Sequence, residues 1–187
     1  MKLFSTLIVA ASFLLISGIS VPVNATPQYD LLKAVEDQNM AELTELLAKG
    51  VSPDTRRRTS GEPAILIAAN MGSLKVMKLL LDNGANPNYA DRHRGETALM
   101  RRAVAGDTIM IKLLLAHSAD PNRADIGQET ALMKAVRGRK FRAAQVLLEA
   151  GADPNVQDLT GKTALEYAKL SRSRRFVKLL QDAGATY

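Results

Sequence analysis

Gly95-Glu96-Thr97-Ala98-Leu99-Met100 returns as Gln128-Glu129-Thr130-Ala131-Leu132-Met133, and again as Gly161-Lys162-Thr163-Ala164-Leu165. The three threonines lie 33 residues apart. A second marker keeps the same phase: Gly84-Ala85-Asn86-Pro87-Asn88, Ser118-Ala119-Asp120-Pro121-Asn122, Gly151-Ala152-Asp153-Pro154-Asn155, then Gly184-Ala185. A unit of this length is one supersecondary element that buries its apolar face only against its neighbours. The chain is therefore expected to form an all-α repeat solenoid. Its function is expected on an extended surface, not in a catalytic pocket.

Each unit reads as two short antiparallel helices followed by a loop. In the unit from Thr97, the threonine is placed to cap the first helix by accepting from unpaired backbone N–H groups. Leu99, Met100 and Ala103 follow at helical spacing on one buried side. Gly106-Asp107 breaks the first helix and caps the second, and Ile109, Ile111, Leu113, Leu114 and Leu115 predict a second helix buried by its neighbours. Gly84, Gly151 and Gly184 end their second helices where a left-handed residue is needed, and Ser118 takes that place in the middle unit.

These residues resemble the ankyrin repeat, with its pattern Gly-x-Thr-Pro-Leu-His-x-Ala and a helix ending in Leu-Leu-x-x-Gly-Ala-Asp. The resemblance covers about residues 28–187 and implies helix-turn-helix repeats joined by β-hairpin-like finger loops. It divides the chain into a degenerate N-terminal cap (27–60), repeats at 61–94, 95–127 and 128–160, and a truncated C-terminal cap (161–187). Ala98, Ala131 and Ala164 replace the usual proline, and Met100 and Met133 the usual histidine, at an expected small cost in rigidity. Arg102 falls where a small buried alanine is usual, which predicts a snorkelling side chain or a local adjustment. Arg139-Lys140 replaces the usual Gly-His break, so the corner of that unit is expected to differ.

Lys2, an apolar run from Leu3 to Ile19, Pro22 and the small-residue site Val23-Asn24-Ala25 read as a secretory signal peptide over residues 1–25. An uncleaved membrane anchor is the alternative. No cysteine is present, so disulfide and thiol chemistry are excluded. Residues 26–187 carry 24 Lys and Arg against 19 Asp and Glu, and the charge is uneven. Residues 26–50 hold five acids and two lysines, a net of −3; residues 51–187 hold 22 bases and 14 acids, a net of +8. That balance favours a partner with an acidic surface.

In the implied fold the fingers lie near 54–62, 91–96, 125–129 and 158–162, beside the first helices on a concave face. The first carries Arg56-Arg57-Arg58 and the second Arg92-His93-Arg94, the latter with one residue more than its siblings. Variable first-helix positions add Arg101, Lys134 and Arg137. Guanidinium groups on a rigid scaffold can take carboxylates in bidentate fashion. Exposed basic loops also serve solubility alone, and both readings stay open here. Tyr89 and Tyr167 are interface anchors or packing between repeats; Met71 lies at another contact position of the family. Arg172, Arg174 and Arg175 read as a solvated cap.

The leading expectation is a monomeric, non-enzymatic protein-binding module. With the leader, the resemblance implies a small exported bacterial ankyrin protein of the periplasm. Such proteins are thought to support stress-defence enzymes such as catalase, or to neutralise toxins as immunity proteins. No cofactor or metal is expected: His93 and His117 lie in different repeats, and no nucleophile, base and orienting group converge. An anionic lipid or polysaccharide surface is the remaining alternative, to be distinguished by its salt sensitivity. Nucleic acid is disfavoured by export and by the lack of aromatics interleaved with the basic residues.

Overall fold

Thr97, Thr130 and Thr163 each accept the backbone N–H three residues on, from Met100, Met133 and Glu166, at 3.3–3.4 Å. These caps start the first helix of three successive units. In a computed structural model of the chain, which describes residues 26–186, ten helices form five pairs. The first helices are α1 (Pro27–Glu36), α3 (Ala64–Met71), α5 (Ala98–Ala105), α7 (Ala131–Arg137) and α9 (Ala164–Leu170). The second helices are α2 (Met40–Ala48), α4 (Leu74–Asp82), α6 (Thr108–Ala116), α8 (Phe141–Glu149) and α10 (Arg174–Asp182). The leader over residues 1–25 and Tyr187 lie outside the described residues.

Odd helices stack on odd helices and even on even, giving a two-layer solenoid. The odd layer packs more closely than the even one, so the stack curves with the first helices inside. Between layers lies one continuous core, from Leu31 and Leu43 through Leu66, Met77, Leu99, Ile111, Leu114 and Leu132 to Leu165 and Leu180. Met100, at the position of the usual histidine, is buried, and its Sδ takes the Thr97 N–H at 3.5 Å.

The turns after the second helices are joined by a ladder of amides. Asn88 Oδ1 accepts from Asp120 N at 2.8 Å while its Nδ2 donates to the Ser118 carbonyl at 3.2 Å. Asn122 makes the same pair of bonds to Asp153 and Gly151, and Asn155 to Thr186 and Gly184. Each turn thus ties the backbone of the next, satisfying groups that helix ends leave unpaired.

Three expectations need correction. Ile109 is 66% exposed; only Met110, Ile111 and Leu114 of α6 are buried, because the even helices have a solvent face behind them. The corner at Arg139 keeps the geometry of its siblings. Ten residues separate each threonine from the cap of the second helix (Asp107, Lys140, Ser173), and the residue before that cap is left-handed throughout. Gly72 and Gly106 adopt this conformation freely; Gln38, Arg139 and Arg172 adopt it at φ 52°, 56° and 51°. The second finger is not longer than the first, since the bridges Arg56–Pro63 and Ala90–Thr97 span equal lengths. It is longer by one residue than the third, closed by Ala124–Thr130, and than the fourth, in which Asp158 pairs with Lys162 as Asp125 does with Glu129.

Arg102 does snorkel. Its guanidinium reaches toward Asp107 at 4.0 Å and lies beside Gly72, while its Nε is buried without a hydrogen-bond partner. Burial there pushes its pKa below the ordinary arginine value, partly countered by Asp107.

Candidate functional site

Each of the last three fingers is closed by an aspartate at its root. Asp91 Oδ1 accepts from His93 N at 2.9 Å and Arg94 N at 2.6 Å, and its Oδ2 from Glu96 N at 3.2 Å. Asp125 accepts from Glu129 N at 2.9 Å, and Asp158 from Thr160 N at 2.7 Å and Lys162 N at 3.1 Å. The second oxygen of each aspartate faces the first helix that follows, four residues past its threonine cap. There it meets Arg101 at 3.1 Å, Lys134 at 2.7 Å and the Tyr167 hydroxyl, which donates to it.

Arg101 and Lys134 are therefore bound within the chain. Arg101 also reaches Glu62 at 3.1 Å and Glu96 at 3.7 Å, and Lys134 reaches Glu96 at 3.1 Å and Glu129 at 3.2 Å. Arg137 pairs with Glu129 and lies over the Tyr167 ring, its guanidinium carbon 5.3 Å from the centroid. The result is a charge ladder along the concave side in which carboxylates outnumber cations. Burial pushes the Asp91 carboxyl up, but the hydrogen bonds from Arg94, His93, Arg101 and Glu96 outweigh it and hold the group below its ordinary value. Burial likewise lowers the Lys134 ammonium, and Asp125 and Glu96 more than reverse that.

The finger cations divide into bound and free. Arg56 donates to the Gly61 carbonyl at 3.3 Å and stacks 4.2 Å above the Tyr89 ring, which is half-buried. Arg57 pairs with Glu36 at 2.5 Å, tying the first finger to α1. Arg58, Arg92, His93 and Arg94 are exposed, and none of the three arginines makes an ion pair among the described residues. Arg92 packs its stem and guanidinium across Gly61, within 3 Å of where a Cβ would stand. His93 and Arg94 border an open groove of about 560 Å³, floored by Asn70, Arg101 and Val104 and walled by Ser60 and Glu62.

At the tips of the third and fourth fingers, in register with Arg92, stand Ile126 and Leu159, 60% and 72% exposed. Backbone bonds hold these tips in line: Ile126 N donates to the Arg94 carbonyl at 2.9 Å and Leu159 N to the Gly127 carbonyl at 3.0 Å. The row of tips thus changes from basic to apolar along the stack. The aligned finger motif could have shown this, since each tip residue follows its root position by one.

Met71 is partly exposed at the end of α3, and His117 lies 3.6 Å from the Asp82 carboxylate at the far ends of the second helices. Neither borders the groove. Among the described residues, no group of three or more His, Asp or Glu side chains is arranged to hold a metal ion, and no helix is long and apolar enough to cross a membrane.

The family profile described as "Ankyrin repeats (3 copies)" matches the chain over residues 31–125, 65–158 and 124–187, covering every helix pair at least in part. A comparison with curated proteins finds no significant match.

Proposed function

The chain belongs to the ankyrin repeat family, whose repeats are generally protein–protein interaction modules and typically non-enzymatic, and on that premise we propose that it binds a partner protein through its concave groove and finger tips. The observation that carries this reading is the exposed Arg92-His93-Arg94 tip, without an ion pair among the described residues, whose His93 and Arg94 border the groove. Arg101 and Lys134, committed to the charge ladder, shape the groove floor and stiffen it. Arg58, Arg92 and Arg94 supply the attraction, Arg137 and Tyr89 its margins, and Ile126 and Leu159 the apolar anchor. The partner is a folded protein with an acidic patch beside an apolar one, and a contact burying on the order of 1,600 Å² fits such a face.

The place of action is the periplasm of a Gram-negative bacterium, a reading supported by Lys2, the apolar run to Ile19 and the Val23-Asn24-Ala25 site. There the partner is a stress-defence enzyme such as catalase, by resemblance to small exported bacterial ankyrin proteins. The test is capture of partners from periplasmic extract on tagged residues 26–187, which contain every described helix, beside the variant R92E/R94E. One protein retained by the wild type and lost by the variant supports the reading. Equal retention by both, or retention of none, overturns it.

A further inference from the structure

Counted from the cap of each second helix (Asn39, Ser73, Asp107, Lys140 and Ser173), the five units share one register. The third residue past the cap is buried and apolar at Val76, Met110, Ala143 and Phe176, but in the first unit it is Glu42, exposed. The fourth residue before the cap is buried and apolar at Val35, Ala69, Ala103 and Val136, but in the last unit it is Lys169, exposed. Among the described residues only the first unit lacks a unit before it, and only the last lacks one after it. Glu42 therefore lies on the face that stacks against a preceding unit, and Lys169 on the face that stacks against a following one.

Each open face has its own sign. With Glu42, Asp30 takes the place of the buried Ala64, Ala98, Ala131 and Ala164, and Glu45 that of the half-buried Leu79, Leu113, Val146 and Leu179. At the other end Lys169, Arg172, Arg174 and Lys178 line a shallow groove of about 380 Å³ with Val177 and Gln181. Val177 stands where Met77, Ile111 and Ala144 are buried, so this groove is the seat a following unit would fill. Of its four cations only Lys178 has a carboxylate partner among the described residues, Asp182 at 3.0 Å. Residues 26–50 carry a net charge of −3, and residues 161–187 a net of +4. One contact inside the stack supplies the pairing. Phe141, the first residue past its cap, meets Phe176, the third past the next, edge-on with centroids 5.4 Å apart. At the open ends the same two places hold Arg174 and Glu42.

We propose that the protein associates head to tail with a second copy of itself, in place of the monomer the family resemblance implied. The acidic face of α1 and α2 in one copy sits on the basic groove beside α9 and α10 of the other, continuing the stack in its own register. Glu42 of one copy then meets Arg174 of the next, where inner units set ring against ring. A polar outer face of either sign keeps a terminal repeat in solution. Opposite signs also draw two copies together and set their polarity. Such a contact is heterologous and does not close on itself, so it gives short linear chains. The basic groove shares no residue with the groove under the second finger, which stays open to a partner. A free polyanion would answer to the cations alone; only a second copy makes the acids at the far end matter as well.

The test is sedimentation velocity of untagged residues 26–187, which contain every described helix, over about a hundredfold range of concentration at about 50 and 300 mM salt. The wild type is expected to sediment faster as concentration rises at low salt, and to lose most of that gain at high salt. E42K/E45K, basic at both ends, and K169E/R174E, acidic at both, should each associate weaker by about tenfold or more. The second of these lowers the net charge of residues 26–187 from +5 to +1, so overall repulsion would act the other way. An equimolar mixture of the two should regain association, because it restores one intact acidic end and one intact basic end. E45K alone, which keeps the bond from the Asn39 side chain to Glu42 at the start of α2, should show the same loss in smaller measure. A wild type that stays monomeric throughout, or a mixture no better than its parts, overturns the proposal. Association that survives K169E/R174E unchanged overturns it too, by placing the contact elsewhere.

Discussion

Arg101 donates to Asp91 at 3.1 Å across the root of the second finger, joining a first helix to the loop that precedes it. Lys134 does the same for Asp125 and Tyr167 for Asp158, at the same place in the next two units. Three chemically different side chains make one clasp, so what recurs is the bond to the aspartate, not the residue type. These positions are first a device for holding fingers upright and only then a lining for the groove.

Arg101→Met should therefore destabilise the fold. Its removal leaves Asp91, Glu62 and Glu96 crowded with one cation fewer, at a site only 17% exposed. Complete burial would make such a loss about 3–5 kcal/mol, and the residual exposure with Lys134 nearby brings it to about 2 kcal/mol. For a chain of this size that is a fall of about 4–8 °C in melting temperature. A melt within 1 °C of wild type would mean that Arg101 is free for a partner after all.

Acid should loosen the same roots. Burial pushes the Asp158 carboxyl up, but the Tyr167 and Thr160 hydroxyls and the N–H groups of Lys162 and Thr160 outweigh it and hold the group far below the carboxylate range. Asp91 is lowered in the same direction. In the unfolded chain both return to about 3.9. The unfolded state then binds more protons, so stability is retained above pH 4 and lost as pH falls through and below it toward the folded values. Urea midpoints between pH 5 and 2.5 should drop less for D91N/D158N than for wild type. Parallel curves would remove these carboxylates from the acid response.

The period, the threonine caps and the left-handed glycines were legible because each is a local rule repeated in phase. The finger clasp was not, because at Arg101, Lys134 and Tyr167 the shared feature is a partner and not a residue type. Aligning Asp91, Asp125 and Asp158 against those positions would have exposed it. The Asn88, Asn122 and Asn155 ladder was visible only as a repeated marker, since its bonds cross to the next unit. Ile109 misled because an apolar residue in a solenoid's outer layer can face water. The free arginines at 58, 92 and 94 were legible as a charge cluster, but Arg56 and Arg57 in the same run are engaged by Tyr89 and Glu36.

Leu114→Ala and Ile109→Ala, five residues apart on α6, should separate cleanly. Leu114 is fully buried and its truncation should cost ~2–5 kcal/mol. Ile109 is mostly in water, and its truncation should stay within about 0.5 kcal/mol. Chemical denaturation of the two variants decides; similar losses would mean that the second helices have a covered outer face.

Arg139→Gly should stabilise the chain. Arg139 holds a left-handed conformation at φ 56° that Gly72 and Gly106 hold without strain in the equivalent corners. Relief of that strain, less the added freedom of glycine when unfolded, leaves a gain of roughly 0.5–1 kcal/mol. A loss of stability would show that the Arg139 side chain contributes more than its backbone costs.

The finger tips should carry binding without carrying the fold. Arg92 and Arg94 are exposed and make no ion pair among the described residues, and the bond that ties the second finger to the third uses the Arg94 carbonyl, which substitution leaves in place. R92E/R94E should therefore melt within about 2 °C of wild type while losing at least tenfold in affinity for the captured partner. The loss should be mainly in association rate and should shrink as salt screens the charge. I126D/L159D should also bind weakly, but through faster dissociation, because an apolar anchor acts after contact is made. Surface plasmon resonance on the captured partner separates the two. If both variants alter only association, the third and fourth fingers lie outside the contact and the anchor is elsewhere.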